Sequence, residues 1–440
     1  MYESLARKLI FPIGDRLLGT HMIPTLKEIE KKQWWPPEKI QEEQNMRLQE
    51  LINHSYKNVP YWRNLFDSLG LKPNHIQTKE DLQKLPILTK ETIRKNIDSM
   101  LAQNFAKKNF IEQHSSGSTG EPLRYYLDKE GISWWVASMM RFWRWAGYDF
   151  GKKWIRIQLW PRGKLWQRLF DRFTRCTYIP TYKLNEESIE QAIFLIQKTR
   201  PEIIRGYTGA TYLIAKHMKE KGNGKFKVRA VITTSETLFP HYRQIIEEQF
   251  CCKVYDTYGG EGLSIAGQCE KGNYHIDDNN VVVEFTKDDG TPAKPGELAN
   301  IIVTSLHNYS MPFIRYKIQD VGIPSDRICS CGRGLSTMES IEGRDADIIR
   351  TPDSRYLTVQ FFVVLFENEE GIDQFQVIQE VPSDITIKIV KNDKFSDADL
   401  RRLESVITEG GGQRLKVNFE FVNNIPVARS GKRKFVISKV

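Results

Sequence analysis

Long apolar runs, cysteines and the common nucleotide fingerprints are what this 440-residue chain has least of. Its longest uncharged, partly apolar stretch near the tryptophans, Gly131 to Met140, stops at Arg141, far short of the about 20 residues that a bilayer-crossing helix needs. The first residues, Met1 to Phe11, hold no long apolar segment and no small-residue cleavage site. No secretory signal is therefore expected, and the reading is a cytoplasmic protein. Cysteines number only six, and in a reducing compartment disulfides are not expected. Neither a Gly-Lys-Ser/Thr phosphate loop nor the glycine spacing of the dinucleotide fingerprint occurs. There is no internal repeat, no low-complexity tract and no recognisable nucleic-acid module, so nucleic acid is not an expected partner.

What is present is an ordinary globular balance, 40% hydrophobic and 27% charged, in a chain long enough for two or three domains. The net charge of +9 is unevenly placed: between Arg141 and Arg175 ten Lys/Arg stand against only Asp149 and Asp171. Seven of the ten tryptophans fall between Trp134 and Trp166. Leu165, Trp166, Leu169, Phe170 and Phe173 recur at helical spacing, with Arg168 and Arg172 opposite. The favoured reading is a core-packed helix with a solvated basic face. Peripheral attachment to an anionic membrane, or a basic wall facing an acidic substrate, stays open.

Along the chain, the first hundred residues read as mainly helical, with Leu48, Leu51, Ile52 and Tyr56 in one stripe that Asn58-Val59-Pro60 ends, and a short helix starting near Thr89. From Trp154 onward, short apolar runs alternate with helical ones at 187–198 and 211–221. That alternation predicts parallel strands joined by helices, an α/β sheet with ligands at the strand C-terminal ends. After Tyr274 come paired strands, Val281 to Thr286 and Glu297 to Ser305, and beyond Gly343 a small α+β unit with a helix capped by Ser396. The expected division is 1–343, a large ATP- and substrate-binding domain with a β subdomain, and 344–440, a small α+β C-terminal lid.

The stretch His114 to Pro122 holds two glycines and four hydroxyls in nine residues. Gly117 and Gly120 let several amides point at one anion while Ser115, Ser116, Ser118 and Thr119 add donors, so it reads as a phosphate cradle. Four further stretches fit it: Thr233 to Leu238 after Ala230-Val-Ile, Thr257-Tyr-Gly-Gly-Glu261, Pro312 to Asp320, and Gly343 to Asp347 with Ser430-Gly-Lys432 near the end. In this order and at these separations they resemble the adenylate-forming superfamily of acyl-CoA synthetases, and more closely its phenylacetate-CoA ligase and CapK-like branch. Val59-Pro-Tyr-Trp-Arg63, Leu85-Pro-Ile-Leu-Thr-Lys90 and Arg205 to Ala210 look like that branch too.

The resemblance implies ATP and Mg2+ as cofactors, with Ser116, Gly117, Ser118, Thr119 and Gly120 on the β- and γ-phosphates. It implies Ser235, Glu236 and Thr237 around adenine, Tyr258 stacking near it, and Gly259 and Arg344 also toward the nucleotide. It places Asp320 on the ribose hydroxyls and Glu261 on magnesium, and makes Lys432 the cation that stabilises charge developing at the α-phosphoryl group. The implied reaction activates a small carboxylic acid as an acyl-adenylate and passes it to a thiol, coenzyme A, with a place in polysaccharide synthesis. Alternatives are adenylyl transfer to a hydroxyl of a cofactor-like substrate, or a non-catalytic membrane-surface partner of a polysaccharide assembly complex. The chain departs from the family pattern at Leu123 and Arg124, where a lysine commonly follows the cradle proline, and at Ala346, where the hinge motif commonly has an aspartate.

Three thiolates and one imidazole satisfy tetrahedral zinc, and Cys269, His275, Cys329 and Cys331 supply them. A similar Cys…His…Cys-x-Cys arrangement is structural in the branch. Cys176, Cys251 and Cys252 read as core residues.

Overall fold

The computed structural model describes residues 2–115, 123–158, 162, 165–181, 186–344, 349–353, 355–357, 359–367, 369–426 and 434–440, with backbone only at 166, 344, 356, 360, 364 and 367. The N-terminal helices follow their sequence signals. Helix Pro37–Asn58 buries Leu48, Leu51 and Ile52 and ends where Val59 turns extended, because a residue before proline is driven out of the helical region. Thr89 caps helix Lys90–Asn96, its hydroxyl accepting from the Thr92 amide.

A hairpin of β1 (Ile111–His114) and β2 (Arg124–Leu127) precedes the main sheet. That sheet takes in β3 (Trp154–Gln158), β4 (Cys176–Pro180), β5 (Ile203–Tyr207), β6 (Ala230–Thr234), β7 (Lys253–Gly260), β8 (Leu263–Gln268), β9 (Tyr274–Ile276), β10 (Val281–Thr286), β11 (Ala299–Ser305), β12 (Tyr316–Ser325) and β13 (Thr337–Arg344). Their order is β10-β11-β12-β13-β9-β8-β7-β6-β5-β3-β4. From β3 to β7 neighbours run parallel, and beyond β7 they are antiparallel. The parallel half is covered on both faces, as such strands require. Ile155, Ile157, Ile204 and Val231 meet helices Glu186–Thr199, Thr208–Glu220 and Pro240–Phe250 on one side. On the other, Trp154, Ile203, Ala230 and Ile232 meet Trp134, Ala137 and Trp143 of helix Lys129–Trp145.

Short strands β14 (Ile349–Arg350) and β15 (Tyr356–Leu357) lead to a four-stranded sheet. It contains β16 (Ile372–Val381), β17 (Asp384–Lys391), β18 (Lys416–Phe421) and β19 (Val436–Ser438), in the order β18-β17-β16-β19. Helix Asp397–Gly411 packs on it, and Ser396 caps that helix in a reciprocal pair with Asp399. Phe239 and Tyr242, at the start of helix Pro240–Phe250, join this C-terminal core. The expected α/β architecture with a small α+β unit is present.

Three local readings change. The helix expected near Leu165 spans Leu165–Phe173, but its apolar stripe is not packed: Leu165, Leu169, Phe170 and Phe173 are 72%, 49%, 48% and 57% exposed. Periodicity groups apolar residues on one face but does not supply a covering partner, and this helix lies against β4, the edge strand of the sheet. Cys251 is exposed at a helix C-cap with φ 46° rather than buried. The helix capped by Ser396, expected to end at Thr408 ahead of three glycines, instead runs on through Gly410 and Gly411 and stops at Gly412, φ 94°.

Candidate active site

The loops leaving β6 and β7 converge with β12. After β6, Ser235 takes φ 71°, and the Glu236 carboxylate accepts from the Gly209 amide at 2.6 Å while its carbonyl accepts from Thr208 Oγ1 at 3.0 Å. The Glu236 charge is thus committed to the N-terminus of helix Thr208–Glu220, where the helix dipole favours an anion. A Cβ built on Gly343 would lie 3.5 Å from Thr237 Oγ1, so the end of β13 stands beside this loop.

At the end of β7, Tyr258 donates its hydroxyl to Asp320 Oδ2 at 2.8 Å. In the β12–β13 ladder Asp320 is opposite Arg344. Glu261 follows in the left-handed region, φ 47°. Its side chain is 8% exposed and its Oε1 lies 3.4 Å from Lys90 Nζ. Burial, reinforced by these carboxylates, pushes the Tyr258, Tyr316 and Tyr125 phenols up, with Glu261 acting on all three and Asp320 on the first two. Two carboxylates therefore sit among phenols that stay protonated, a set that accepts hydroxyl donors and offers hard oxygens to a divalent cation. Gly259 is glycine for a backbone reason: a Cβ there would lie 2.1 Å from the Leu263 carbonyl oxygen across the hairpin.

Ser116, Gly117, Ser118, Thr119, Gly120 and Lys432 lie outside the described residues, as does the Arg344 side chain. The flanks of the cradle are described. Ser115 Oγ accepts from the Leu123 amide at 2.8 Å and its own amide donates to the Leu123 carbonyl at 2.9 Å, so the ends of the stretch meet. Leu123 is fully buried in the core, so its side chain is packing, whereas Arg124 is exposed. The hairpin base lies against the turn after Glu261, since a Cβ on Gly262 would meet Leu127 at 2.8 Å. Lys90 was not singled out from sequence, although the phrase that contains it carried the signal.

Away from these loops, Cys269, His275, Cys329 and Cys331 place one ligand atom each within 4.8 Å of one another. Cys269 Sγ and Cys329 Sγ are 3.7 Å apart, and Cys331 Sγ is 3.3 Å from His275 Nε2. A tetrahedral ion with Zn–S bonds of about 2.3 Å has S–S edges of about 3.8 Å, so the donor set fits zinc and the sulfurs are too far apart for a disulfide. His275 Nδ1 lies 3.2 Å from the Leu335 carbonyl, which orients the ring and leaves Nε2 for a metal. The cluster pins the β8–β9 turn to the β12–β13 connection.

Residues 349–439 match the family described as the CapK C-terminal domain. The chain is 25% identical to protein CapK of Staphylococcus aureus over 90% of this chain and 89% of that one. It is 23% identical to a phenylacetate-coenzyme A ligase of Thermus thermophilus, over 91% and 97%. Among solved structures, 2-hydroxyisobutyryl-CoA ligase in its postadenylation state superposes with a TM-score of 0.74 at 15% identity, covering 93% of this chain and 92% of that one.

Proposed function

From an adenylate-forming ligase fold, with the resemblance to the phenylacetate-CoA ligase and CapK-like branch borne out, we propose that this chain is an AMP-forming acid–thiol ligase. It activates a small carboxylic acid with ATP and transfers the acyl group to coenzyme A. The observation that carries the reading is the Tyr258–Asp320 hydrogen bond beside buried Glu261, where β7, the last of the parallel strands, reaches its C-terminal end, the edge at which this class of sheet binds ligands. Asp320, held by Tyr258, accepts the ribose hydroxyls. Glu261 is the carboxylate for magnesium, which neutralises phosphate charge when bound. Lys90 holds the Glu261 charge, Ser235 and Thr237 border adenine, and Lys432 serves the α-phosphoryl group. Residues 344–440 act as the lid, and zinc on Cys269, His275, Cys329 and Cys331 is structural.

The test is pyrophosphate release from ATP with magnesium over a panel of aryl, short-chain and amino carboxylic acids, with hydroxylamine as acceptor. Acid-dependent release with free AMP is expected. AMP retained on the product would replace the reading with adenylyl transfer to a hydroxyl, and silence with every acid would overturn it. Purified protein holding no stoichiometric zinc by metal analysis would refute the metal assignment.

A second observation bears on where the enzyme works. No helix among the described residues is long and apolar enough to cross a membrane. Two helical segments nonetheless turn apolar stripes to solvent: Leu5, Leu9, Ile13 and Leu17 in one, Leu165, Leu169, Phe170 and Phe173 in the other. The segments touch, since Tyr2 Oη donates to the Phe173 carbonyl at 2.5 Å and Arg175 lies over the Tyr2 ring at 5.3 Å. Exposed Arg7, Lys8, Arg16, Arg168 and Arg172 surround them. Apolar stripes rimmed by cations suit an anionic lipid surface. Co-sedimentation with phosphatidylglycerol-containing vesicles, lost in Leu169→Glu/Phe173→Glu, is expected; absence of wild-type binding would remove the membrane reading.

A further inference from the structure

Arg156 on β3 and Arg205 on β5 are directly paired in the parallel register. The same row continues to Tyr178 on one side and Ile232 on the other. Two guanidinium groups side by side inside a protein repel each other, and each ordinarily requires a carboxylate. Among the described residues neither is ion-paired to one. Arg205 is only 8% exposed. Among the described residues, neither it nor Arg156 makes a hydrogen bond or ion pair, and the Nε of each is buried without a partner. The Arg205 guanidinium lies against the Trp143 ring, which is 4.8 Å from its guanidinium carbon. Asp171 acts on Arg156 from a distance, but its carboxylate is ion-paired to a third arginine, Arg162, at 2.5 Å. Burial and the neighbouring Arg156 together depress Arg205 to about 9. An anion placed between the two cations would relieve an arrangement in which each disfavours the other.

The pair also stands in a telling place. Two residues on from Arg205, Tyr207 ends β5 in register with Thr234, whose strand leads directly into Ser235, Glu236 and Thr237. The Tyr207 phenol is pushed up by burial while both arginines pull it down and Glu236 pushes it up, so it lies within electrostatic reach of both the arginine pair and the loop given to the nucleotide. At about 3.3 Å per strand residue the arginines lie about 7 Å below the level at which these loops leave the sheet. That is the span of a five- or six-carbon chain or of an aromatic ring.

We infer that Arg156 and Arg205 hold a second anionic group, a carboxylate or a phosphate, at the far end of the carboxylic acid that the site activates. This rests on the acid-activating reading above. The substrate then carries two anionic groups: one carboxylate reacts near Glu261, and the far group neutralises the paired guanidiniums. Arg205 is a specificity-determining residue, with Trp143 holding it in position.

The experiment compares matched acids in acid-dependent ATP–pyrophosphate exchange: hexanoate against adipate, and 4-hydroxyphenylacetate against its phosphate ester. Wild-type enzyme is expected to favour at least one member with two anionic groups on the order of 100-fold in kcat/KM, and whichever pair shows it identifies carboxylate or phosphate. Arg205→Met is expected to collapse that ratio toward unity, Arg205→Lys to retain part of it, and Arg156→Met to collapse it independently. A wild-type preference for the monoanion in both pairs, or a ratio that survives Arg205→Met, would overturn the inference. If no acid supports exchange, the acid-activating reading has failed. The anion site is then decided by calorimetry with adipate and inorganic phosphate on the same proteins. Binding that requires Arg205 keeps it, and binding that is absent or indifferent to Arg205 removes it.

Discussion

Replacing Arg141 by Met tests how helix Lys129–Trp145 is anchored to the antiparallel half of the sheet. Arg141 and Asp277 form an ion pair with both side chains fully buried, and Arg141 Nη1 also donates to Asn279 Oδ1 at 2.9 Å. Removing one partner of a buried pair leaves the other charge unpaired at a cost of about 3–5 kcal/mol. Burial already holds the Asp277 carboxyl above its ordinary value despite Arg141, and without the guanidinium it rises further. A carboxyl raised in the folded state is compatible with folding below its unfolded value, and stability is lost as pH rises through the folded value. The deficit of Arg141→Met is therefore expected to be full at pH 7.5 and smaller at pH 5. The assay is urea unfolding of both proteins at the two pH values, with Arg141→Met/Asp277→Leu as a third protein expected to recover most of the loss. A deficit below about 1 kcal/mol at pH 7.5, or one identical at both pH values, would refute the account.

Other expectations concern the candidate site and the cysteine cluster. Asp320→Asn should raise the KM for ATP about 10- to 100-fold by weakening charge-assisted hydrogen bonds to the ribose, with Tyr258→Phe milder; an unchanged KM in both would detach the pair from the nucleotide. Cys329→Ser should abolish zinc binding and lower the thermal midpoint by about 5 °C or more, and a variant as stable as wild type would show that the cluster holds no structural metal. Gly259→Ala should lower stability and soluble yield before any effect on nucleotide affinity can be read, because its Cβ would overlap the Leu263 carbonyl. A stable, folded variant with weakened ATP binding would instead make Gly259 a direct ligand contact.

Much of the framework was legible locally. The alternation of apolar runs with helical stretches from Trp154 onward produced the parallel strands, because a strand covered on both faces must be apolar on both. Ser396 announced its helix, since a cap acts within three residues. The four metal-type ligands could be named because thiolate and imidazole chemistry is specific, and the fold brings them to ligand distance. The Tyr258–Glu261 stretch was recognisable through its resemblance to the motif of the branch, and the structure supplies the reason for its glycine, since a Cβ at 259 would meet the Leu263 carbonyl.

Tertiary structure alone decided the rest. The period of Leu165, Leu169 and Phe173 specified a shared face, but whether that face is covered depends on what lies beyond an edge strand. Tyr258 and Asp320 meet across 62 residues, and nothing near either one in the chain announces the partner. Arg156 and Arg205 each read as an ordinary basic residue until parallel pairing set them side by side, the Nε of each buried without a partner among the described residues. Backbone conformation and metal-ligand identity are properties of a few adjacent residues, so the chain by itself determined them. Exposure and charge balance are sums over neighbours brought from far along the chain, and only the folded arrangement settles those.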